Sequence, residues 1–116
     1  MTRRGDVVLL DFPFTSAGSK IRPAVIVQND RDNTRILQTV VAMITGNLKR
    51  AAEPTHLSVD PTTPEGKSSG LHSPSLVVCV NLYTIEQVVI IKTIGQLSAG
   101  LQLKLDDCLK AALQLP

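Results

Sequence analysis

Aromatic residues are scarce in this 116-residue sequence, which contains two phenylalanines, one tyrosine and no tryptophan. Proteins that hold single-stranded nucleic acid by base stacking depend on several exposed aromatic rings. The composition therefore argues against a stacking platform. Any recognition of nucleic acid would depend on arginine, lysine and backbone N–H groups.

Cysteine is equally rare, since the chain has only Cys79 and Cys108. Cys79 lies in an apolar run and Cys108 in a predicted helix, and neither belongs to a Cys/His cluster with the spacing of metal ligands. We interpret both as small core residues. The sequence predicts no zinc or other metal site, and we expect no cofactor.

Long hydrophobic runs are also missing. Hydrophobic residues make up 43% of the chain and charged residues 19%, and the longest apolar runs are only as long as a strand, so we expect no membrane span. Arg3 and Arg4 are followed at once by Gly5 and Asp6, without the apolar region of a signal peptide. We expect a soluble protein in the cytoplasm.

The length and charge of the chain favour one small domain covering residues 1–116. The formal net charge is +2 and the sequence pI is near 8.7. A bias of this size permits a polyanionic partner without requiring one.

The segment 5–30 predicts a β-hairpin that carries a site. Its two apolar runs, residues 7–10 and 24–27, are separated by small and polar residues typical of turns. Arg22 and Pro23 are expected where this loop becomes the second strand. Because proline pushes the residue before it toward an extended backbone, Arg22 would point in a defined direction. The guanidinium either binds an anion or is an ordinary surface group at the end of a loop.

The remaining pattern predicts further short strands and one helix. Residues 29–34 read as a turn, and residues 83–87 as the connection of a second hairpin. The Pro- and Gly-rich stretch 61–74 predicts a long connection, of a length that is usually functional or mobile. Leucines and alanines at helical spacing predict an amphipathic helix over 99–114, capped by Ser98. The predicted strands are residues 36–44, 56–59, 75–82 and 88–94.

Short connections between these strands indicate a mainly antiparallel sheet that curls into a small, partly open barrel, with the helix packed on it. At this point the motifs resemble a known family. GDVVLLDFPFT, the following Gly-Ser-Lys and RPAVIV, then VVAMIT, Pro-Thr-His, SLVVCVNLYTI and IGQL are similar to the MazF/PemK-type toxins of bacterial type II toxin–antitoxin modules. The resemblance covers nearly the whole chain.

This resemblance implies an SH3-like barrel of the CcdB/MazF type, a homodimer and a cognate antitoxin partner. It also implies a metal-independent, sequence-specific endoribonuclease that cleaves single-stranded RNA, mainly messenger RNA, and so inhibits translation and growth. The catalytic pair of the family falls on Arg22 and Thr45. The loop 14–21 would be a mobile cover over the RNA groove, which the antitoxin's tail occupies when the toxin is silenced.

One departure from the family concerns this loop, which reads TSAGSK at residues 15–20. Many members carry an acidic residue there, so a loop carboxylate cannot be assigned as the general base. His56 and His72 titrate in the useful range, but no motif assigns either of them, and the base stays open. We predict RNA contacts from a set of cationic and polar side chains: Ser19, Lys20, Gln28, Asn47, Lys49 and Arg50.

Two alternatives remain at this point. A non-enzymatic toxin resembling CcdB would bind DNA gyrase and would not need Arg22 and Thr45 to face one groove. A catalytically inactive member of the family would bind RNA without cleaving it, which the missing loop carboxylate suggests.

Overall fold

The computed structural model describes residues 2–12 and 20–116. Within them the chain forms one antiparallel sheet and a long C-terminal helix. The elements are β1 (Asp6–Phe12), β2 (Lys20–Ile26), α1 (Asp30–Arg35), β3 (Gln38–Thr45), β4 (His56–Val59), β5 (Ser75–Glu86), β6 (Lys92–Gln96) and α2 (Ala99–Leu113).

The sheet has the order β4-β5-β3-β2-β1-β6, and all its neighbouring strands run antiparallel. The predicted mainly β fold with a C-terminal helix is therefore confirmed, as a six-stranded curled sheet that forms a partly open barrel.

Both faces of this sheet are apolar near its centre. Side chains alternate between the two faces along a strand, so Val7 and Val8 enter different cores. The first core lies between the sheet and α2 and includes Leu101 and Leu105. The second core lies on the other face and includes Leu10 and Ile26.

Helix α2 forms where the helical spacing predicts it. The Ser98 side chain accepts a hydrogen bond from the Leu101 N–H at the first turn, so the predicted cap is confirmed. The chain leaves the helix through Gln114 in a left-handed conformation. Leu101, Leu105 and Cys108 are buried, which fixes the face of the helix that packs on the sheet.

The two cysteines lie in the first core and are free thiols. Burial raises the pKa of Cys79 to about 12, with a smaller contribution from Cys108 beside it. Because the thiolate is the reactive form of cysteine, Cys79 is held in its inert, protonated state. Their interpretation as small core residues is confirmed.

Three local predictions were wrong. Residues 29–34 do not form a simple turn but begin α1, in which Asn29 is the N-cap and accepts the Asp32 N–H at 2.9 Å. Asn and Asp favour both turns and helix N-termini, so composition could not separate the two. Arg22 and Pro23 lie inside β2 instead of at its start, because β2 begins at Lys20.

The third error concerns residues 83–87, which were predicted as a hairpin connection. Strand β5 runs on to Glu86, because Gln38 to Ala42 of β3 pair with Glu86 to Leu82. The last strand begins at Lys92 and pairs with β1, not with β5. A short 3₁₀ turn at Gln87–Val89 carries the chain to the other edge of the sheet.

Arg4 links the C-terminal helix to the segment that follows β2 through hydrogen bonds to both. Its Nε donates to the Val27 carbonyl at 3.0 Å, and its guanidinium bonds the Asp106 carboxylate of α2 at 2.7 Å. Its backbone N–H also donates to Asp30 at 2.7 Å. Three segments that are distant in sequence therefore meet at this one residue.

We expect Arg4→Ala to lower the free energy of unfolding by about 1–2 kcal/mol, because it removes charge-assisted hydrogen bonds that are partly shielded from water. Lys104→Ala is the matched control, since Lys104 reaches Glu65 only at 3.5 Å and both side chains are well exposed. That change should cost less than about 0.5 kcal/mol. Equilibrium urea denaturation measures both values, and equal losses would contradict the role given to Arg4.

Across residues 2–12 and 20–116, no helix has the length and apolar character needed to cross a membrane.

Candidate functional site

Arg22 lies near the start of β2, on the same face of the sheet as Leu10, its partner in β1. On the other side of β2, Ala24 pairs with Met43, but Pro23 has no N–H to continue the ladder. The same register extended by two residues aligns Arg22 with Thr45, the last residue of β3. Aligned residues of antiparallel strands share a face. Arg22 and Thr45 lie beyond the last observed pair, at the same end of the sheet, and they line different cavities.

The guanidinium of Arg22 is partly withdrawn from solvent. Its Nε is buried, and within the described residues it has no hydrogen-bond acceptor. A buried donor without a partner costs roughly 1–3 kcal/mol. An arginine held with an unsatisfied nitrogen is a candidate for binding an anion such as a phosphate.

Strand β3 ends at Thr45, and two hydrogen bonds fix the turn that follows it. Its Oγ1 accepts the Asn47 N–H at 3.1 Å, and the Asn47 side chain then accepts the Lys49 N–H at 3.0 Å. Because the hydroxyl oxygen acts as an acceptor in this turn, its proton remains available to a ligand. The turn also sets the direction in which the following cationic residues leave the sheet.

The first cavity at this end of the sheet has a volume of about 510 Å³. Lys49 and Arg50 give it positive charge, and none of the described residues that line it carries a carboxylate. His56 is held by a 2.9 Å hydrogen bond between its Nδ1 and the Thr55 hydroxyl. The lining residues are Thr45, Asn47, Lys49, Arg50, His56, Val78, Val80 and Asn81.

A bulge in β5 forms one wall of the first cavity, and the sequence did not predict it. Ala42 pairs with Leu82 and Met43 with Val78, so residues 79–81 have no partner in β3. The bulge turns Val80 outward, with 55% of its surface exposed, and brings Asn81 to the cavity. The signal in the sequence was Asn81 itself, the only polar residue in the run 76–82.

The second cavity has a volume of about 390 Å³ and is lined by Ile44 and Gly46, the residues on either side of Thr45. Its charged residues are Lys20 and Arg22, and its lining contains no carboxylate in the part of the chain that the structure describes. The remaining walls come from apolar side chains and from the loop 70–75, which contributes His72, Ser73 and Ser75.

The structure distributes most of the predicted site residues over the two cavities. Lys20 lines the second cavity, and Asn47, Lys49 and Arg50 line the first. Gln28 is not brought to either cavity. It lies beyond the opposite end of β2, where its amide donates to Asn33 and to the Gln38 carbonyl at 2.9 Å each. Ser19 and most of the predicted cover loop lie outside the described residues.

The fold and the site define a small antiparallel-barrel protein. Two cavities at one end of its sheet are lined by cationic residues. The sequence model of the PemK-like, MazF-like toxins of type II toxin–antitoxin systems matches residues 3–113. The chain therefore belongs to this toxin family, and the resemblance predicted from its motifs is confirmed.

Solved structures share the fold across almost the whole chain. An endoribonuclease in complex with its cognate antitoxin from a mycobacterial species superposes with a TM-score of 0.81 at 22% identity, covering 100% of this chain and 98% of the other. The Mycobacterium tuberculosis toxin MazF-mt6 gives 0.78 at 24%, covering 96% and 98%. A MazE–MazF structure from Deinococcus radiodurans gives 0.75 at 16%, covering 99% and 98%.

Proposed function

We propose that this toxin is a metal-independent endoribonuclease that cleaves single-stranded RNA, with Arg22 and Thr45 as its catalytic residues. The observation that supports the proposal is that Arg22 and Thr45, at one end of the sheet, each line a cavity whose charged lining residues, among those the structure describes, are all cations. We propose that the scissile phosphate binds at this end of the sheet.

The chemistry needs no metal ion, since the nucleophile belongs to the substrate. The 2′-oxygen of RNA attacks the adjacent phosphorus, the bond to the 5′-oxygen breaks, and the products are a 2′,3′-cyclic phosphate and a 5′-hydroxyl. The protein must orient the strand, stabilise the added negative charge on phosphorus and assist the proton transfers.

Arg22 suits charge stabilisation because its donors stay protonated at any ordinary pH and form a rigid fork. Thr45 suits a donor role, because its hydroxyl proton is free while its oxygen is held by the Asn47 N–H. Lys20, Lys49 and Arg50 supply the sequence-independent attraction for the RNA backbone. Asn47 and Asn81 carry amides that can read base edges in the first cavity.

The proposed partners follow from the same family. A neighbouring fold is an endoribonuclease in complex with its cognate antitoxin, and we propose that this chain also pairs with an antitoxin, that it acts as a homodimer, and that it is a cytoplasmic protein. The family match favours this function over a gyrase-binding, CcdB-like toxin. If the protein binds RNA without cleaving it, the test below identifies it as an inactive RNA-binding protein.

The proposal is tested by incubating the purified protein with mixed-sequence RNA in the presence of a chelator. We expect discrete fragments with cyclic-phosphate and 5′-hydroxyl ends. Thr45→Ala should lower kcat about a hundredfold through loss of one transition-state donor. Thr45→Ser keeps the hydroxyl and should stay within about threefold of the wild type by the same reasoning.

Three results would count against this assignment. RNA binding without fragments identifies an inactive binding protein. Cleavage that disappears in the chelator contradicts the metal-independent reaction. Equal activity of the alanine and serine variants removes Thr45 from the chemistry, and circular dichroism of each variant shows whether its fold is intact.

A further inference from the structure

The proposed reaction lacks a group that accepts the proton of the 2′-hydroxyl. Arginine is effectively always protonated, and a threonine hydroxyl is not a base near neutral pH. The loop segment 15–20 reads TSAGSK and has no carboxylate. Among the residues that the structure describes, neither cavity is lined by Asp or Glu, so a histidine is the next candidate for the base.

His72 lines the second cavity, and its imidazole has a ring nitrogen that can accept a proton. The charged side chains that line this cavity with it are Lys20 and Arg22, both cations, and the polar ones are Ser73 and Ser75. His72 itself is exposed, so a bound RNA strand can reach its ring. Arg22, whose Nε has no acceptor among the described residues, also contributes to the lining of this cavity.

The loop that carries His72 is anchored on its N-terminal side by close backbone contact. Gly70 has a φ of 74°, a left-handed value that suits glycine. A Cβ at Gly70 would collide with the Ile94 carbonyl oxygen of β6, and one at Gly95 would collide with the Ser68 carbonyl oxygen. The Ser68 hydroxyl also donates to the Gln96 carbonyl at 2.8 Å.

Hydrogen bonds fix the residues on either side of His72. The Leu71 N–H donates to the Ser69 hydroxyl at 3.3 Å, and the Ser75 hydroxyl donates to the Ser73 carbonyl at 3.0 Å. The long connection was predicted as functional or mobile, and at this point it is firmly tied to the sheet. A catalytic side chain requires this kind of support, because small displacements from the productive geometry cost large factors in rate.

We propose that His72 is the general base of the cleavage reaction. This inference rests on the proposed function. Neutral imidazole takes the 2′-hydroxyl proton while the 2′-oxygen bonds to phosphorus, the bond from phosphorus to the 5′-oxygen breaks, and water protonates the departing 5′-oxygen. Arg22 holds the phosphate charge throughout. His56 is assigned no proton transfer, because it lines the other cavity, which Arg22 does not line.

The test compares His72→Gln with the wild type on an RNA oligonucleotide that contains one mapped cleavage site. We expect kcat to fall about a hundredfold, a usual contribution of general acid–base catalysis. The wild-type rate should fall at acid pH as the base becomes protonated, and this acid limb should vanish in the variant.

Added imidazole should restore part of the lost rate. His56→Gln should raise KM while keeping the acid limb.

A substrate with sulfur in place of the leaving 5′-oxygen separates a base from an acid. A thiolate leaves without a proton, so it would rescue the variant if His72 protonated the leaving group. Such rescue would overturn the assignment, as would an unchanged acid limb in His72→Gln. If Arg22→Ala abolishes cleavage while His72→Gln matches the wild type, only this inference fails. If the wild type cleaves no RNA, the proposed function fails with it.

Discussion

Replacing Arg22 by alanine is expected to lower kcat for RNA cleavage by about a thousandfold, the upper end of the loss seen when one donor to a developing negative charge is removed. The stability of the fold should not fall. The buried Nε of Arg22 has no acceptor among the described residues, so its removal takes away a desolvation cost. Loss of activity without loss of stability is typical of a residue held in place for function.

Single-turnover cleavage at saturating protein measures the chemical step for Arg22→Ala. Arg22→Lys should recover only part of the rate, because a lysine ammonium lacks the planar fork that bonds two phosphate oxygens. Arg31→Ala is the control, since Arg31 is an exposed residue of α1 that lines neither cavity. Cleavage by Arg22→Ala at more than a tenth of the wild-type rate would remove Arg22 from the transition state.

The elements predicted best from the sequence are those whose pattern is local. Helix α2 begins at Ala99 after the Ser98 cap and ends at Leu113, close to the predicted 99–114. Strand β4 occupies His56–Val59, as predicted. In both cases the period of the apolar residues and the flanking residues indicate the same structure.

Longer-range pairing decided the elements that were predicted wrongly. Residues 83–86 continue β5 because the first half of β3 offers them partners. The bulge at 79–81 likewise exists only because both halves of β5 pair with β3 in different registers. Neither arrangement leaves a local pattern, since apolar residues run through the whole stretch.

The candidate site was predictable in its parts but not in its assembly. The motif resemblance indicated Arg22 and Thr45, and composition indicated that cations would bind the RNA backbone. Their distribution over two cavities depends on the sheet register and on the turn after Thr45. Gln28 shows that the type of a polar residue alone does not predict an RNA contact. Its amide instead bonds Asn33 and the Gln38 carbonyl, and it lines neither cavity.

Leu105→Ala is expected to lower the free energy of unfolding by about 3 kcal/mol, through lost burial and the cavity left behind. Leu105 is 0% exposed at the centre of the core between α2 and the sheet. Leu103→Ala is the matched control on the same helix, because Leu103 is 69% exposed, and it should change stability by less than about 0.5 kcal/mol. Equilibrium urea denaturation measures both, and similar losses would contradict the assignment of the buried helix face.

The cleavage activity of Leu105→Ala then tests how the core supports the site. Its core includes Ile44, which lines the second cavity and precedes Thr45. Arg22 and Thr45 themselves face the opposite side of the sheet, where Leu10 and Ala24 form the other core. We therefore expect kcat of the folded variant to stay within about threefold of the wild type, since a side-chain cavity in a close-packed core relaxes only partially. A loss of kcat as large as that of Thr45→Ala would instead mean that packing under α2 holds the end of β3 in its catalytic position.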